Sequence, residues 1–378
     1  MNDHHAHLSD EHRALLDRVD VLARDVLGRI ARSGPPGRVN RELVSALGAE
    51  GLLSIILAND DVPATELCVT REALARRSTH AETAFALQGL GAHPILVAGT
   101  RGVAARWVPR VAGGDAVAGF ALTEPGAGSD VGAISLTAER EGDVFVLTGE
   151  KTYISNAPEA DVYSVFARTT AGAGVRGITA FAVEGTAKGL GGEAIPLLSD
   201  HAIGKLHFDG VRVPASHVLG DVDDGFRVAM NTLDLFRPSV GAAAVGMAQA
   251  ALDAAVQHVT TREAFGKRLS EFQGISHQLA DAATRLQAAR LLVHAAATAY
   301  DKGIRPSSES AAMAKLFATE TAQAVIDVAI QVHGARALER GHLLEQLYRE
   351  VRALRIYEGA SEIQREIIAR ALLRIPES

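Results

Sequence analysis

Cysteine occurs once in the 378 residues, at Cys68, so no disulfide framework and no thiolate metal cluster can form. Basic residues are outnumbered, 38 Lys and Arg against 45 Asp and Glu, a formal charge of −7. With no basic stripe either, a nucleic-acid surface is not expected. No apolar run reads as long enough to span a bilayer, and the polar stretch from Met1 to Asp10 does not read as a signal peptide. The helical His-Glu-x-x-His pair, the Cys-x-x-Cys spacing, the Gly-x-Gly-x-x-Gly turn, the P-loop and the Gly-x-Ser-x-Gly elbow are all missing. Their absence argues against zinc, dinucleotide, P-loop nucleotide and α/β-hydrolase chemistry. His4, His5 and His7 read as an exposed, disordered tail rather than as metal ligands. Aromatics make up only 4%, so each well-placed ring is informative. What remains is ordinary globular composition, 47% hydrophobic and 22% charged, enough for a core. The expectation is a cytoplasmic protein of two or three domains, or one large one, with no membrane and no nucleic-acid partner.

The hydrophobic period changes twice. Leu15, Val19, Leu22, Val26 and Ile30 recur at three- and four-residue spacing, an amphipathic helix. Ser33-Gly34-Pro35-Pro36-Gly37 breaks it, and helical pattern resumes over 39–53, 66–76 and 82–90. From about Gly119 the period becomes two, with strands expected over 144–147, 162–166, 178–183 and 206–213. No helical crossovers intervene, so a small β-barrel or sandwich is expected. From about Asp223 the pattern is helical again. Ile275, Leu279, Ala282, Leu286, Ala289, Val293, Ala296 and Tyr300 step by four and three, and Gly303 stands where a helix ends. Further helices are expected over 307–333, 343–352 and from 361. The fold class is therefore α+β, mainly α, with domains over 1–118 (helical), 119–222 (β) and 223–378 (helical bundle). His207 reads as a surface residue on a strand and Trp107 as a packing anchor.

Four stretches carry chemistry. Leu122-Thr123-Glu124-Pro125-Gly126-Ala127-Gly128-Ser129 sits where helices give way to strands; it offers backbone N–H groups to an anion, or is a plain inter-domain turn. Lys151-Thr152-Tyr153-Ile154-Ser155 offers an aromatic face and hydroxyls at a strand end. Arg262 to Gln273 brings Arg262 and Lys267 to a break between helices, suited to a phosphate or to solvent. Tyr357-Glu358-Gly359-Ala360-Ser361 puts a carboxylate in an apolar turn. Glu358 is a candidate base with raised pKa, or merely the neighbour of an N-cap Ser361.

In that order and spacing, together with Gln331-x-x-Gly334, these stretches resemble the acyl-CoA dehydrogenase family over about residues 10–373. The resemblance implies an N-terminal helical domain, a central β-domain and a C-terminal four-helix bundle. It implies non-covalent FAD, a homotetramer built as a dimer of dimers, and electron transfer to an acceptor such as an electron-transfer flavoprotein. Carried over by position, Leu122 and Thr123 meet the flavin pyrimidine edge, Ser129 the pyrophosphate, Tyr153 the isoalloxazine and Ser155 its N5 region. Arg262, Phe265, Gln273, Gln331 and Gly334 are expected at the FAD of a neighbouring subunit, while Glu362 and Gln364 lie near the flavin. Ser129, Arg237, Tyr357 and Gly359 are expected on the substrate side, with Phe85, Leu87 and Leu90 in the acyl wall. Three departures stand out: Gly334-Ala335-Arg336 where a Gly-Gly pair is common, Ala360 for a common Thr, and a shortened loop over 56–63.

The reaction implied is α,β-dehydrogenation of an acyl thioester, with Glu358 taking the α-proton and the β-hydrogen leaving as hydride to flavin. Some members carry their base on a bundle helix instead; Phe236 stands there, so Glu358 is expected to be the single base. Three alternatives remain open at this level. They are action on a carrier-protein-bound acyl group, a flavin monooxygenase or oxidase on the same fold, and a non-catalytic scaffold.

Overall fold

In the computed structural model residues 4–59, 61–304 and 308–373 are described. Helices come first. They are α1 (Asp10–Leu22), α2 (Gly28–Ser33), α3 (Arg41–Ala49), α4 (Leu52–Leu57), α5 (Ala64–Arg77), α6 (Thr79–Ala98) and α7 (Arg101–Ala112). Some of these starts show a side-chain cap from the preceding residue. The Ser9 hydroxyl accepts from His12 N–H to cap α1, and the Asn40 side chain accepts from Leu43 N–H to cap α3. Gly51, at φ 73°, divides α3 from α4 where one continuous helix was expected. One wide helical turn over Ala23–Leu27 joins α1 to α2.

The strands follow: β1 (Ala118–Ala121), β2 (Thr137–Glu141), β3 (Val144–Ser155), β4 (Val162–Arg168), β5 (Ile178–Glu184), β6 (Leu190–Ala194), β7 (Ile203–Pro214) and β8 (Val218–Leu219). They form one eight-stranded sheet in the order β6-β7-β3-β2-β4-β5-β8, with β1 parallel to β4. The four strands expected from the sequence, β3, β4, β5 and β7, are its long members. β1, β2, β6 and β8 are short or Gly-rich and carry too little periodicity to be read. β4 and β5 are buried on both faces, which is why their sequence is a continuous apolar run rather than an alternation.

The last third comprises α8 (Gly225–Thr261), a hairpin of β9 (Glu263–Ala264) and β10 (Lys267–Arg268), then α9 (Gln273–Asp301), α10 (Ser308–His333), α11 (Leu343–Leu354) and α12 (Ser361–Leu373). Gly303 takes φ 65° after α9, as its position predicts. By length and composition α8 could cross a membrane, contrary to the expectation of no such run. However, 83% of its most apolar stretch is buried, which marks a core helix.

The chain divides into two compact units. One comprises Met1–Gly28, Ala64–Glu82 and Asp234–Ser378; the other comprises Arg29–Pro63 and Thr83–Leu233 and holds the sheet. The N-terminal helices are thus shared between the units.

The amino-terminal histidines are not a free tail. His5 Nε2 lies 3.0 Å from Glu72 Oε1, and His7 Nε2 lies 2.6 Å from His294 Nδ1. Glu72 also accepts from Arg290 Nε at 2.8 Å. The buried, ionised Glu72 needs donors, and the tail supplies one. Among the described residues no group of His, Cys, Asp and Glu is arranged to hold a metal ion.

Candidate active site

The sheet unit carries one cluster of expected residues. The turn over residues 122–129, the first signature stretch of the family resemblance, is held from beneath by a buried ion pair. Lys151 Nζ donates to Glu124 Oε1 at 2.7 Å and to the Leu122 carbonyl at 2.9 Å. Glu124 also accepts from Ser135 N–H, Ser135 Oγ–H and Leu136 N–H. Burial pulls Lys151 down to about 8, with Glu124 opposing. Thr152 N–H donates to the Thr123 carbonyl at 2.9 Å, tying the two stretches together. The β3–β7 register slips between Lys151 and Ile154, and within that bulge Tyr153 takes φ 56° and turns outward, 61% exposed. Ser129 is exposed, Thr123 and Ser155 half-buried and Leu122 buried. A Cβ placed on Gly126 or Gly128 would meet nothing within 4 Å, so the turn's backbone faces open space. Phe85 and Leu90 are buried and Leu87 half-buried in this same unit.

The helical unit carries the other cluster. Glu358 and Gly359 take φ 51° and 94° in the turn between α11 and α12. Lys315 Nζ donates to the Gly359 carbonyl at 2.7 Å, and Gln364 Nε2 donates to the same oxygen at 2.9 Å. Ser361 lies inside α12 rather than at its cap, and its hydroxyl donates to Glu320 Oε1 at 2.8 Å. The N-cap reading of Ser361 is therefore set aside. Glu358 Oε2 is buried with no hydrogen-bond partner among the described residues. Burial pushes the Glu358 carboxyl up, and the charges of Arg71, Lys315 and Arg237 oppose that rise. Arg71 is itself 2% exposed, donating to Glu82 Oε1 at 2.6 Å and to Ser239 Oγ at 2.7 Å. Tyr357 is 39% exposed on this turn. Arg237 pairs with Asp234 at 2.5 Å, and its buried Nε has no partner among the described residues. Phe236 is buried beside it in sequence and offers no acceptor.

All but one of the remaining expected residues of this unit face outward. Arg262, Gln273, Gln331 and Gly334 are exposed, and Phe265 is 96% exposed at φ 52° in the β9–β10 hairpin. Glu362 is exposed, whereas Gln364 is fully buried and holds the Glu358 turn. Sequence reasoning missed Arg71, Glu82 and Lys315. Their one signal is a charge on a core stripe, as with Lys315 among Ala311, Ala312, Ala314 and Ala318.

The chain matches the models of the acyl-CoA dehydrogenase N-terminal domain over residues 9–115, middle domain over 119–211 and C-terminal domain over 223–373. Cyclohexane-1-carbonyl-CoA dehydrogenase of Geobacter metallireducens is 36% identical over 375 residues, 97% of this chain and 98% of that one. The caffeyl-CoA reductase-Etf complex subunit CarC of Acetobacterium woodii is 38% identical over 289 residues, 75% and 76% of the two chains. The solved structure of butyryl-CoA dehydrogenase from Megasphaera elsdenii superposes with a TM-score of 0.91 at 31% identity, covering 97% of this chain and 99% of that one. The family is FAD-dependent. The sheet-unit cluster suits that cofactor: an outward tyrosine face for a ring, hydroxyls at Thr123, Ser129 and Ser155, and an open glycine backbone for a pyrophosphate. Three domain matches in order and near-complete coverage of relatives leave one assignment: this chain is an oxidoreductase of the acyl-CoA dehydrogenase family.

Proposed function

We propose that the protein removes the α- and β-hydrogens of an acyl thioester, with Glu358 as the base for the α-proton. The observation that carries this is the buried, unpartnered Oε2 of Glu358, on a carboxyl raised by burial in a turn gripped from two helices. An α-proton of a thioester is weakly acidic, so its removal needs a base of matched strength and a donor for the charge growing on the carbonyl oxygen. Glu358 Oε2 accepts the proton. The backbone N–H of Glu358 donates to the thioester oxygen, and Arg71, Lys315 and Arg237 keep the carboxyl ionised before it is used. FAD, when bound, supplies the acceptor for the β-hydrogen and its electron pair. Leu122, Thr123, Ser129, Tyr153 and Ser155 hold it, with Ser129, Arg237, Tyr357 and Gly359 toward the substrate. The outward Arg262, Phe265, Gln273, Gln331 and Gly334 support a homotetramer in which they reach a neighbour's cofactor. The relative named as a subunit of an Etf complex supports an electron-transfer flavoprotein as the electron acceptor.

Anaerobic bleaching of the flavin by a panel of straight, branched and alicyclic acyl-CoAs tests this reading. Carrier-protein thioesters of the same acids run beside them. Bleaching by at least one CoA ester is expected; bleaching by carrier-protein esters alone would move the substrate to a carrier. No bleaching by any thioester, in protein that holds FAD, would overturn the reading.

A further inference from the structure

Lys315 is a buried cation that the sequence pattern does not explain. It stands on the core stripe of α10, between Ala314 and Ala318, and is fully buried. A lysine there needs a partner, because an ammonium out of water costs several kcal/mol unless compensated. The contact it makes is the Gly359 carbonyl, 2.7 Å away, one residue beyond Glu358. That carbonyl already accepts from Gln364 Nε2, so it would not be orphaned without the lysine. The ammonium is thus more than a hydrogen-bond filler. Its largest charge interaction is with the Glu358 carboxylate. The same helix grips the turn a second time, through Glu320 to Ser361 and to Arg355 Nε at 3.0 Å. The turn needs gripping, since Glu358 and Gly359 both stand at positive φ and a non-glycine residue there is strained.

Resting on the reading of Glu358 as the base, we propose that Lys315 is a positioning residue, which fixes the Glu358–Gly359 turn and holds the Glu358 carboxyl in its charged form. The groups facing that carboxyl are Arg71 from α5, Glu82 from α6, Arg237 from α8 and Lys315 from α10. Those facing Lys315 besides Glu358 are Arg237, Glu320 and Glu362. Arg71 is committed to Glu82 by a 2.6 Å ion pair, and Arg237 to Asp234. Among the described residues Lys315 makes no such ion pair; its ammonium donates to the neutral Gly359 carbonyl, which leaves its charge to Glu358. Burial brings Lys315 down to about 8, so it is still protonated at neutral pH.

The test reads Glu358 directly. In the FAD-loaded protein, pH-dependent infrared difference spectra contain a carboxyl band that Glu358→Gln removes. In Lys315→Met the midpoint of that band moves up by about one pH unit or more, as for a carboxylate losing a nearby cation. In Lys315→Arg it stays near the wild-type midpoint. The acid limb of the flavin-reduction rate moves with it, so Lys315→Met is about tenfold slower at a pH below both midpoints. If Lys315→Met does not fold, Lys315→Gln removes the charge, keeps a donor to Gly359 and carries the same expected shift. A midpoint unmoved in the neutral variants would overturn the proposal. Full-speed flavin reduction by Glu358→Gln would instead remove the base reading, an outcome the infrared midpoint does not depend on.

Discussion

Replacing Lys151 by Met keeps the side chain's length and removes its charge from beneath the signature turn. In the native protein the side chain is fully buried, and its two acceptors are Glu124 Oε1 at 2.7 Å and the Leu122 carbonyl at 2.9 Å. Removing one partner of a buried ion pair costs about 3–5 kcal/mol, because the other charge stays desolvated. Three donors remain on Glu124, from Ser135 and Leu136, which places the cost at the low end, about 3 kcal/mol. A protein of two compact units need not unfold in one step, so the effect is best read locally by native-state hydrogen exchange. The amides of Ser135, Leu136 and Thr152 report the turn, and 3 kcal/mol corresponds to protection lower by roughly 150-fold. The double variant with Glu124→Gln should lose less than the sum of the single losses, since the two side chains act as a unit. FAD occupancy should fall in parallel, because Leu122 and Thr123 are the residues displaced. Protection within about threefold of wild type in Lys151→Met, with unchanged FAD content, would refute the reasoning.

Three further outcomes follow from the same geometry. Gly359→Ala places a Cβ 2.4 Å from Gln364 Nε2 at φ 94°, so the turn carries about 1–3 kcal/mol of strain. Stopped-flow flavin reduction should slow more than tenfold with FAD content intact, and an unchanged rate would show that the turn's conformation does not matter. The amino-terminal clasp should loosen in acid. Burial holds His7 at about 4, below its ordinary 6.5, so its contribution is complete above pH 6.5 and is lost as pH falls towards 4. Exchange at the Leu8 amide, which donates to the His5 carbonyl, should rise over that window after correction for intrinsic rate; a flat profile would count against the clasp. Arg262→Ala should release FAD on dilution and weaken the oligomer together, as loss of a charge-assisted bond worth about 1.5–3 kcal/mol. A stable, fully flavinated oligomer would place Arg262 elsewhere.

The helices–strands–helices order was legible because long elements repeat their period many times. The 29-residue α9 shows eight stripe positions in register. Short elements were not: β8 has two residues, and β6, Leu-Gly-Gly-Glu-Ala, has nothing to alternate. The signature residues were legible because they lie in contiguous turns with unusual glycine content. The groups that hold those turns were not, because they are scattered. Lys315 meets Gly359 across 44 positions and Arg71 meets Ser239 across 168, and only folding brings them together. The histidine tail failed for the opposite reason. Its composition is that of a disordered end, but a buried carboxylate elsewhere in the chain gives it partners.

The central claim is that Glu358 takes the α-proton, and anaerobic flavin reduction by Glu358→Gln measures it most directly. The amide keeps the shape of the side chain and cannot accept the proton. Phe236 offers no substitute, and Asp234 is engaged by Arg237 and Ser308. With the best thioester of the panel, the variant should bind ligand and keep its FAD while reducing it at least about 10²–10⁴-fold more slowly, the usual worth of a positioned base. Reduction at near wild-type speed would contradict the account and return the search for a base to Asp234 and Glu362.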